Sequence, residues 1–575
     1  MTKPGKLGLQ DEAFLLIEKP ESPTHVAGLQ IFELPRGYRG HFIRDLFETY
    51  GDNARSVSPP FNLKLADPKA KRGHRWIEDD HFDIDYHVRF TALPAPGSHT
   101  QLMRLVERLH ARPLDRHYPL WEYYFIEGLE GRRFAVYVKV HHSMVDGMAA
   151  MALLQATLCT DPKEQRTTPI WSIKGLTGGD DSARRAKLFA QIGKAYANLW
   201  GQTRSVPEIY MSLVKSGLGK AVGRGKNNPL PFQAPHTILN QDIQAQRRFA
   251  ARTLSLKRLK KIGAAHGATV NDVVLAICSG ALRSYLSRQR QLPRETMTAI
   301  CPVAVRSEKT AGKGNSLSVI IAGLGTNKRD PVARLDAVMG SMAAAKTDLG
   351  AMSETAMTNY ALLINGALLV AQPLRVTKRI NPISNLVISN VPGPREPLYL
   401  NGAKLVANYP LSVLVHGLAL NITVTSYLDS MDFGLMGTRD ILPDIDVLAD
   451  HLLTAADELE AKLLPATLEA KTAALPASGS ARKTKPRTAK ASGAKAKPKA
   501  ATKSRAATAK SDTPSKRRCP AKKAPSAKSR ASYRTSGPPA KVATKTGSKA
   551  KAKPAARTRT AAKRVTSPKR TSKPA

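Results

Sequence analysis

Two adjacent histidines and a nearby carboxylate are the residues of this chain best suited to acid–base chemistry. His141 and His142 end an apolar run, and Asp146 and Gly147 follow before a helix-like run begins. An imidazole, whose ordinary pKa is about 6.5, is the natural general base at neutral pH if it is exposed and fixed in direction. A carboxylate at this spacing is suited either to orient the ring or to hold the loop by pairing with a distant cation.

The same residues also have a purely structural explanation. Asp146 is suited to cap a helix that begins near Gly147, and the histidines are suited to be surface residues or satisfied core residues. Short motifs match unrelated sequences often enough that the letters alone do not choose between the two explanations.

The surrounding pattern predicts elements that would fix the histidines in place. Residues 132–140, RRFAVYVKV, alternate and include β-branched side chains, which predicts a strand, and residues 148–158, MAAMALLQATL, predict a helix. Asp146 and Gly147 then lie in the turn between the two. A strand, a sharp turn and a helix form a rigid place from which to project a side chain.

Strands and helices are mixed irregularly in the second half of the chain. Helices are predicted at 254–267, 271–289 and 357–370, and strands at 299–306, 317–325, 385–391 and 418–429. Asn271 is a candidate cap for the second of these helices. Because no regular βαβ rhythm appears, the pattern predicts an α+β fold in two lobes of similar size.

The chain of 575 residues is too long for one compact core, so several domains are expected. The predicted parts are an N-terminal lobe with the histidine motif (1–160), a linker with amphipathic helices near 184–200 and 207–219 (161–235), a C-terminal lobe (236–465) and a disordered tail rich in Lys, Ala and Pro (466–575). The linker separates the lobes without ending the fold.

Basic residues are concentrated in the tail. Residues 1–470 carry 57 Lys and Arg against 44 Asp and Glu, a net charge of +13, whereas residues 471–575 carry 32 against 1, a net charge of +31. The tail has one leucine, one aromatic residue and no isoleucine, so it cannot bury enough apolar surface to offset the entropy of ordering. Its composition resembles the tails of linker-histone-like proteins. Regular cations of this kind suit contact with phosphates, so non-specific DNA is one candidate partner; anionic lipid headgroups and a purely solubilising role are the two competing alternatives.

Signals for redox chemistry, export and membrane insertion are sparse. The cysteines Cys159, Cys278, Cys301 and Cys519 have no metal-like spacing, which predicts reduced thiols and no metal site. No signal-peptide pattern opens the chain. The best apolar run, 361–371, is about half of the roughly 20 residues that a membrane span needs. We therefore expect a cytoplasmic protein that meets membranes only at their surface.

The residues around the histidines resemble a known pattern. HHSMVDG at 141–147 matches the HHxxxDG motif of the acyl-CoA-dependent acyltransferases related to chloramphenicol acetyltransferase, plant acyltransferases and peptide-synthetase condensation domains. Within that superfamily the chain resembles the bacterial wax ester synthase/diacylglycerol acyltransferase family, which implies a fold of two chloramphenicol-acetyltransferase-like lobes.

Nine segments carry this resemblance, in the family's order, over nearly all of residues 10–460. They are THVAGLQIF (24–32), RPLDRHYPLWE (112–122), HHSMVDG (141–147), PHTILN (235–240), TVNDVVLA (269–276), CPVAVR (301–306), GN (314–315), SNVPGP (389–394) and NITVTSY (421–427). The chain departs from the pattern at Thr24 and Ala27, where the family often has methionine and glycine, and in the tail.

The resemblance implies a role for each motif residue. His142 would be the general base that takes a proton from an alcohol as the alcohol attacks an acyl-CoA thioester, with His141 in support. Asp146 would be structural and pair with Arg306, so that the loop points His142 at the substrate, and Gly147 would allow the tight turn. Since the chain has neither a GxSxG elbow nor a cysteine placed as a nucleophile, no covalent acyl-enzyme is expected.

Four further residues are candidates for the substrate site. The side-chain amide of Asn271 is a candidate oxyanion donor, for which a helix cap is the structural alternative. Pro119, Leu120 and Trp121 would shape the acyl or alcohol pocket, although a core position explains the tryptophan equally well. No cofactor is implied, because acyl-CoA is itself a substrate.

The expected reaction is transfer of a long-chain acyl group to diacylglycerol, which gives triacylglycerol, or to a fatty alcohol, which gives a wax ester. A water-insoluble product implies peripheral work at the inner membrane or at lipid inclusions in the cytoplasm. Two alternatives remain at this stage. One is a condensation-type acyltransferase that uses carrier-protein thioesters, and the other is a protein that tethers nucleic acid or lipid inclusions through its basic tail.

Overall fold

The structure is a computed structural model that describes residues 5–145, 147–174, 229, 231–305, 316–351 and 381–464. These residues all lie within one compact unit, Met1–Ser480; the second unit, Ala481–Ala575, is outside the described part of the chain. The described helices are α1 (Leu9–Ile17), α2 (Phe42–Tyr50), α3 (Ile84–His87), α4 (His99–His110), α5 (Gly147–Thr157), α6 (Leu256–Ala265), α7 (Val270–Arg288), α8 (Pro331–Ala351) and α9 (Ile445–Leu463).

Fifteen strands are described, and they form three sheets. The strands are β1 (Gly5–Lys6), β2 (His25–Glu33), β3 (Leu63–Leu65), β4 (Arg75–Glu78), β5 (Val88–Ala92), β6 (Trp121–Leu129), β7 (Arg133–His141), β8 (Arg247–Ser255), β9 (Thr298–Val305), β10 (Ser316–Gly323), β11 (Leu386–Val391), β12 (Tyr399–Leu400), β13 (Ala403–Leu411), β14 (Leu420–Tyr427) and β15 (Ser430–Thr438). The order is β12-β13-β2-β7-β6-β5 in the N-terminal sheet, β10-β9-β11-β14-β15-β8 in the C-terminal sheet and β1-β4-β3 in a small third sheet.

The strands that carry the histidine motif are buried on both faces. In β6 and β7 apolar and aromatic residues predominate, and most positions on both faces are buried. A central strand covered on both sides has this composition, whereas a half-exposed strand alternates. The histidines at the end of β7 therefore start from the middle of a rigid sheet.

The C-terminal lobe is organised around α7. Of its 19 residues, 13 are buried, and the helix lies against α6, α8 and α9. A helix with so many buried positions is covered by protein on most of its sides. Its first turn is closed by a capping box in which Thr269 and Asp272 satisfy each other's backbone amides.

The N-terminal sheet includes strands from the C-terminal half of the chain. The strands β12 and β13 come from the C-terminal half of the sequence, yet β13 pairs with β2 in the N-terminal sheet. Next to this crossing, a Cβ atom on Gly434 of β15 would overlap the Pro410 carbonyl oxygen of β13. Glycine is required there because the two backbones approach too closely for any side chain.

The α+β, two-lobed fold predicted from the sequence is confirmed. The strand before the motif, the helix after it, both helices near residue 270 and the four C-terminal strands are present with boundaries within about two residues of those predicted. The linker helices near 184–200 and 207–219 and the helix at 357–370 fall outside the described residues, and the domain boundaries remain a prediction. Among the described helices, none is long and apolar enough to span a membrane alone; the bent pair α6 and α7, with axes 97° apart, meets the length and composition criteria jointly.

Candidate active site

The two histidines lie where β7 ends in a turn. His141 is the last residue of β7 and pairs with His25, the first residue of β2. Backbone hydrogen bonds hold the turn from both neighbouring strands: the His142 amide donates to the Thr24 carbonyl (3.1 Å), and the His141 amide donates to the Leu120 carbonyl (2.9 Å). The turn is therefore an extension of the sheet and not a free loop.

The His141 side chain is fully buried and has a partner at each ring nitrogen. The Ser143 backbone amide (3.1 Å) and hydroxyl (2.6 Å) both approach Nδ1, and the Thr24 hydroxyl lies 2.9 Å from Nε2. Because a backbone amide can only donate, Nδ1 is the acceptor and the ring proton is on Nε2. His141 is thus held in one tautomer and one direction, as a supporting residue must be.

Glu18, just after α1, joins this network. Its Oε1 accepts from the Thr24 amide (3.1 Å) and lies 3.5 Å from His141 Nε2, and its Oε2 accepts from Nε (3.1 Å) and Nη2 (3.0 Å) of Arg116. Burial alone would raise the pKa of Glu18, but the His141 ring 3.5 Å away, the hydrogen bond from the Thr24 amide and the charge of Arg116 together outweigh burial and lower that pKa to about 2. An ionised carboxylate therefore joins α1 to the turn and to segment 112–122.

The His142 ring stacks on the ring of Phe14, which α1 carries. The ring centroids are 4.1 Å apart and the planes differ by 14°. His142 is partly buried, in contrast to the fully buried His141. One face of the His142 ring is therefore covered by protein, and a substrate must reach the ring at its edge or its other face.

A buried ion pair involves Lys139 of β7, two residues before the first motif histidine. Lys139 has no exposed surface, and its Nζ lies 2.7 Å from Glu122 Oε2 while it also donates to the carbonyls of Leu109 (3.2 Å) and Arg112 (3.0 Å). Burial lowers the pKa of Lys139, and the nearby Glu122 carboxylate opposes this shift. Through Glu122 and the Arg112 carbonyl, Lys139 fixes both ends of segment 112–122 to β7.

Three further histidines of the N-terminal lobe are core residues. His25 Nε2 lies 2.8 Å from the His110 carbonyl, and His110 Nδ1 lies 2.9 Å from the Tyr137 hydroxyl. Burial lowers the pKa of His25 and of His110 well below the ordinary value. His87 Nδ1 lies 2.8 Å from the Trp121 carbonyl, and burial lowers the pKa of His87 to about 4. All three are uncharged at neutral pH.

The predicted partner of the loop carboxylate Asp146 is Arg306. Asp146 and Arg306 lie outside the described residues, so their pairing stays a prediction. Gly147 is the first residue of α5, which places it where the chain turns from the motif into the helix.

The structure corrects the predicted cap of α7. The N-cap is Thr269, and its hydroxyl accepts from the Asp272 amide, whereas Asn271 lies inside the first turn. The Asn271 side chain instead accepts a hydrogen bond from Asn390 (3.4 Å), in the SNVPGP segment at the end of β11. A threonine hydroxyl followed by aspartate three positions on is a strong capping signal, and it outcompetes the asparagine. The role of Asn271 as an oxyanion donor remains a prediction.

Pro119, Leu120 and Trp121 are buried where segment 112–122 enters β6. The indole of Trp121 donates to the Phe61 carbonyl (2.7 Å) and stacks on the His87 ring, with centroids 4.5 Å apart. These contacts support the core alternative for the tryptophan, since its polar atom is satisfied inside the lobe.

The described residues do not favour metal-dependent or cysteine-based chemistry. No group of three or more His, Cys, Asp or Glu side chains there is arranged to hold a metal ion. The described cysteines Cys159, Cys278 and Cys301 are buried free thiols, and burial raises the pKa of Cys301 to about 12 and also raises those of the other two.

Four residues at the site were not singled out from the sequence. Thr24 and Arg116 lie in segments 24–32 and 112–122, whose importance was recognised but whose contacts were not. Phe14 and Glu18 lie in AFLLIEK, which looks like an ordinary amphipathic helix end. Only their distance in space from the motif, and not their spacing along the chain, reveals them.

Comparisons with known proteins agree over most of the chain. Residues 7–274 match the family model described as the wax ester synthase/diacylglycerol acyltransferase catalytic domain, and residues 313–460 match the corresponding C-terminal domain. The chain is 39% identical over 445 residues to the O-acyltransferase WSD of Acinetobacter baylyi, covering 77% of this chain and 94% of that protein. It is 38% identical over 456 residues to a protein of Mycobacterium tuberculosis named as a probable diacylglycerol O-acyltransferase, covering 78% and 97%.

A solved structure shows the same similarity. The wax ester synthase/diacylglycerol acyltransferase from Marinobacter aquaeolei VT8 superposes with a TM-score of 0.64 at 36% sequence identity, and the match covers 80% of this chain and all of that one.

Proposed function

The chain belongs to the wax ester synthase/diacylglycerol acyltransferase family, and we propose that His142 is the general base of its acyl transfer. The protein is an acyl-CoA-dependent O-acyltransferase. The observation that supports the role of His142 is its position. It is the second motif histidine, it directly follows β7, and its partly buried ring is fixed against Phe14.

The proposed step is a direct displacement at the thioester carbonyl. The alcohol oxygen bonds to the carbonyl carbon as His142 takes the hydroxyl proton, and the carbonyl electrons move onto oxygen to form a tetrahedral intermediate. When the intermediate collapses, the carbon–sulfur bond breaks and the imidazolium returns the proton to the departing sulfur. Because a thiol has a pKa of about 8.5, the leaving group is good and activation of the alcohol is the main task.

No covalent acyl-enzyme takes part in this proposal. A nucleophilic thiol needs a lowered pKa, and burial does the opposite to the three described cysteines. No cofactor is invoked either, because acyl-CoA brings its own activated bond.

The proposed donor is a long-chain acyl-CoA, and the proposed acceptor is diacylglycerol or a fatty alcohol. The names of the relatives support both acceptors. A long acyl chain is favoured because each buried CH₂ group contributes roughly 0.8 kcal/mol. Family membership favours acyl-CoA over a carrier-protein thioester as the donor.

His141 is proposed to support the turn through the tautomer described above, and Asp146 to fix the loop by pairing with Arg306. The side-chain amide of Asn271 is proposed as a donor to the oxyanion, because its Oδ1 is engaged by Asn390 and its NH₂ group is then turned away from that residue. These roles rest on the motif and on the general chemistry of acyl transfer.

We also propose that the enzyme is cytoplasmic and works at the surface of the inner membrane or of lipid inclusions, where its apolar acceptor and product reside. The net charge of +31 in residues 471–575 suits contact with DNA phosphates or anionic headgroups.

The reaction is tested by thiol release from palmitoyl-CoA with hexadecanol or a diacylglycerol as acceptor. We expect acceptor-dependent release by the wild type, loss of release in His142→Ala, and normal release in His81→Ala, which removes an exposed histidine of the same lobe. If the folded wild type releases no thiol with either acceptor, the proposed substrates are wrong. If His142→Ala releases thiol as fast as the wild type, the proposed general base is wrong.

The tail is tested separately by removing residues 471–575. DNA retardation at low salt and flotation on anionic vesicles are measured for the full chain and the truncated chain. Tail-dependent retardation that weakens steeply with salt would support DNA, and tail-dependent flotation would support a lipid surface. Absence of both would contradict the tethering role.

A further inference from the structure

Thr24 is a junction between the two motif histidines and α1. It is fully buried, and each of its polar groups is used. Its carbonyl accepts from the His142 amide (3.1 Å), and its amide donates to Glu18 Oε1 (3.1 Å). Its hydroxyl lies 2.9 Å from His141 Nε2 and 3.1 Å from the Phe14 carbonyl, to which it donates. One side chain thus bridges β7 and α1.

Along this bridge every hydrogen bond is donated in the same direction, from Ser143 towards Phe14. The Ser143 amide donates to His141 Nδ1, so the His141 proton is on Nε2 and points to the Thr24 hydroxyl oxygen. The Thr24 hydroxyl can then donate its own proton only to the Phe14 carbonyl. The orientation of His141 therefore determines the bond that holds Phe14.

Phe14 in turn contacts the second motif histidine, His142. Its backbone carbonyl is held by Thr24, and its ring lies face to face on His142 at 4.1 Å. The path runs from His141 through the Thr24 hydroxyl and the Phe14 carbonyl to the ring that covers His142. Since side-chain and backbone bonds meet at Phe14, a shift of α1 would move the ring plane against which the base is set.

We propose that Thr24 and Phe14 are positioning residues for the general base: the Thr24 hydroxyl locks α1 to the first motif histidine, and the Phe14 ring holds the second at the angle from which it meets the alcohol. This inference rests on the proposed role of His142. Loss of the bridge should slow the reaction without abolishing it.

The hydroxyl is tested with a matched pair of variants. Thr24→Val keeps the shape but removes the hydroxyl, and Thr24→Ser keeps the hydroxyl. In the thiol-release assay we expect Thr24→Val to lower kcat by about ten- to a hundredfold, as expected for a misplaced catalytic group, with KM for acyl-CoA changed less than about twofold. Thr24→Ser should keep most of kcat. A merely structural threonine would show unchanged kcat for the folded fraction of Thr24→Val, and that result would overturn the proposal.

The ring is tested independently, because Phe14 is only partly buried and its replacement should leave the fold intact. Phe14→Leu removes the flat surface, and Phe14→Tyr keeps it. We expect a fall in kcat of at least about tenfold for leucine and a much smaller fall for tyrosine. Equal kcat in the wild type and Phe14→Leu would overturn the role of the ring even if Thr24→Val failed to fold.

His142→Ala in the same assay distinguishes failure of the positioning inference from failure of the proposed general base. If it is inactive while Thr24→Val and Phe14→Leu both keep the wild-type kcat, only the positioning inference fails. If His142→Ala is fully active, the proposed general base fails and the positioning inference fails with it.

Discussion

At Lys139 a cation with no exposed surface lies two residues before the histidine motif. Burying an ammonium group is costly unless it is paired and hydrogen-bonded, and here Glu122 and two backbone carbonyls meet both needs. The arrangement fixes β7 to segment 112–122, which also supplies Arg116 to Glu18. The residues around the site are thus held by charge as well as by packing.

Lys139→Met should lower the free energy of unfolding by about 3–5 kcal/mol, because it leaves the Glu122 carboxylate buried without its main partner. The double variant Lys139→Met/Glu122→Gln should lose clearly less, since no charge is then stranded. Denaturant unfolding of the wild type and the variants measures both effects. A double variant that is as unstable as the single one would show that the lysine acts through its packing and not through the pair.

The buried histidines predict how stability depends on pH. His25, His87 and His110 have folded pKa values below the value of 6.5 for the free side chain. Below that pH the unfolded chain binds more protons than the folded one, so stability is full above about pH 6.5 and falls as the pH drops, by up to about 1.4 kcal/mol per pH unit for each histidine.

Denaturant unfolding between about pH 7.5 and about pH 5.5 measures this slope. His87→Gln should make the slope shallower by removing one of the three groups. Stability that does not change over this interval would contradict the assignment of these histidines as neutral in the folded chain.

The site could be predicted only in part from residue types. His142 was recognisable because adjacent histidines, a carboxylate and a glycine sit at the end of a strand pattern. Thr24 and Glu18 were not, because a threonine before a strand and a glutamate after a helix have no chemical signal until the fold brings them to His141. Asn271 was assigned as a cap although Thr269 and Asp272 form the stronger signal.

At the scale of elements, periodicity predicted individual strands and helices well but not their partners. β7, α6, α7 and β14 have strong patterns, and they form where expected. The pairing of β13 with β2 was not predictable, because a strand pattern shows which side chains are buried but not which neighbour covers them. The crossing of this strand between lobes depends on a close backbone approach near Gly434.

Gly434→Ala should therefore destabilise the protein by about 1–3 kcal/mol, because the added methyl group would meet the Pro410 carbonyl oxygen, which belongs to the backbone and cannot rotate away. Gly28→Ala in β2 is the matched control. There the nearest atom to the added Cβ would be 3.7 Å away, which is an ordinary contact. Thermal or denaturant unfolding of the two variants should separate them. Equal stability would mean that β13 and β15 can move apart without cost.

At the scale of the whole molecule, the lobes share both core and polar contacts. One buried cluster contains Leu29 and Tyr137 of the N-terminal sheet together with Phe249 and Met436 of the C-terminal sheet. Beside it, Glu107 of α4 accepts from Arg248 Nη1 (3.0 Å) and from the Phe249 amide (3.0 Å) of β8. A shared core of this kind should make the lobes unfold together.

This cooperativity is measurable with two probes of different location. All four tryptophans lie before residue 201, so their fluorescence does not report directly on the C-terminal lobe, whereas the long helices α7, α8 and α9 contribute strongly to far-ultraviolet circular dichroism. The two signals should give coincident denaturant transitions in the wild type. Separate transitions would show that the lobes are independent folding units despite the shared cluster.

Glu107→Ala tests whether the polar contact carries that coupling. Removal of the carboxylate leaves Arg248 and the Phe249 amide without this acceptor at the lobe boundary, and it leaves Arg104 without its nearer partner. The free energy of unfolding should therefore fall by about 3 kcal/mol or more. Arg104→Ala is the milder comparison, because that side chain is more exposed and Glu107 keeps its bonds to β8. If Glu107 couples the lobes, the fluorescence and dichroism transitions should separate in Glu107→Ala but stay together in Arg104→Ala. If both variants unfold in a single transition, the apolar cluster alone is sufficient to join the lobes.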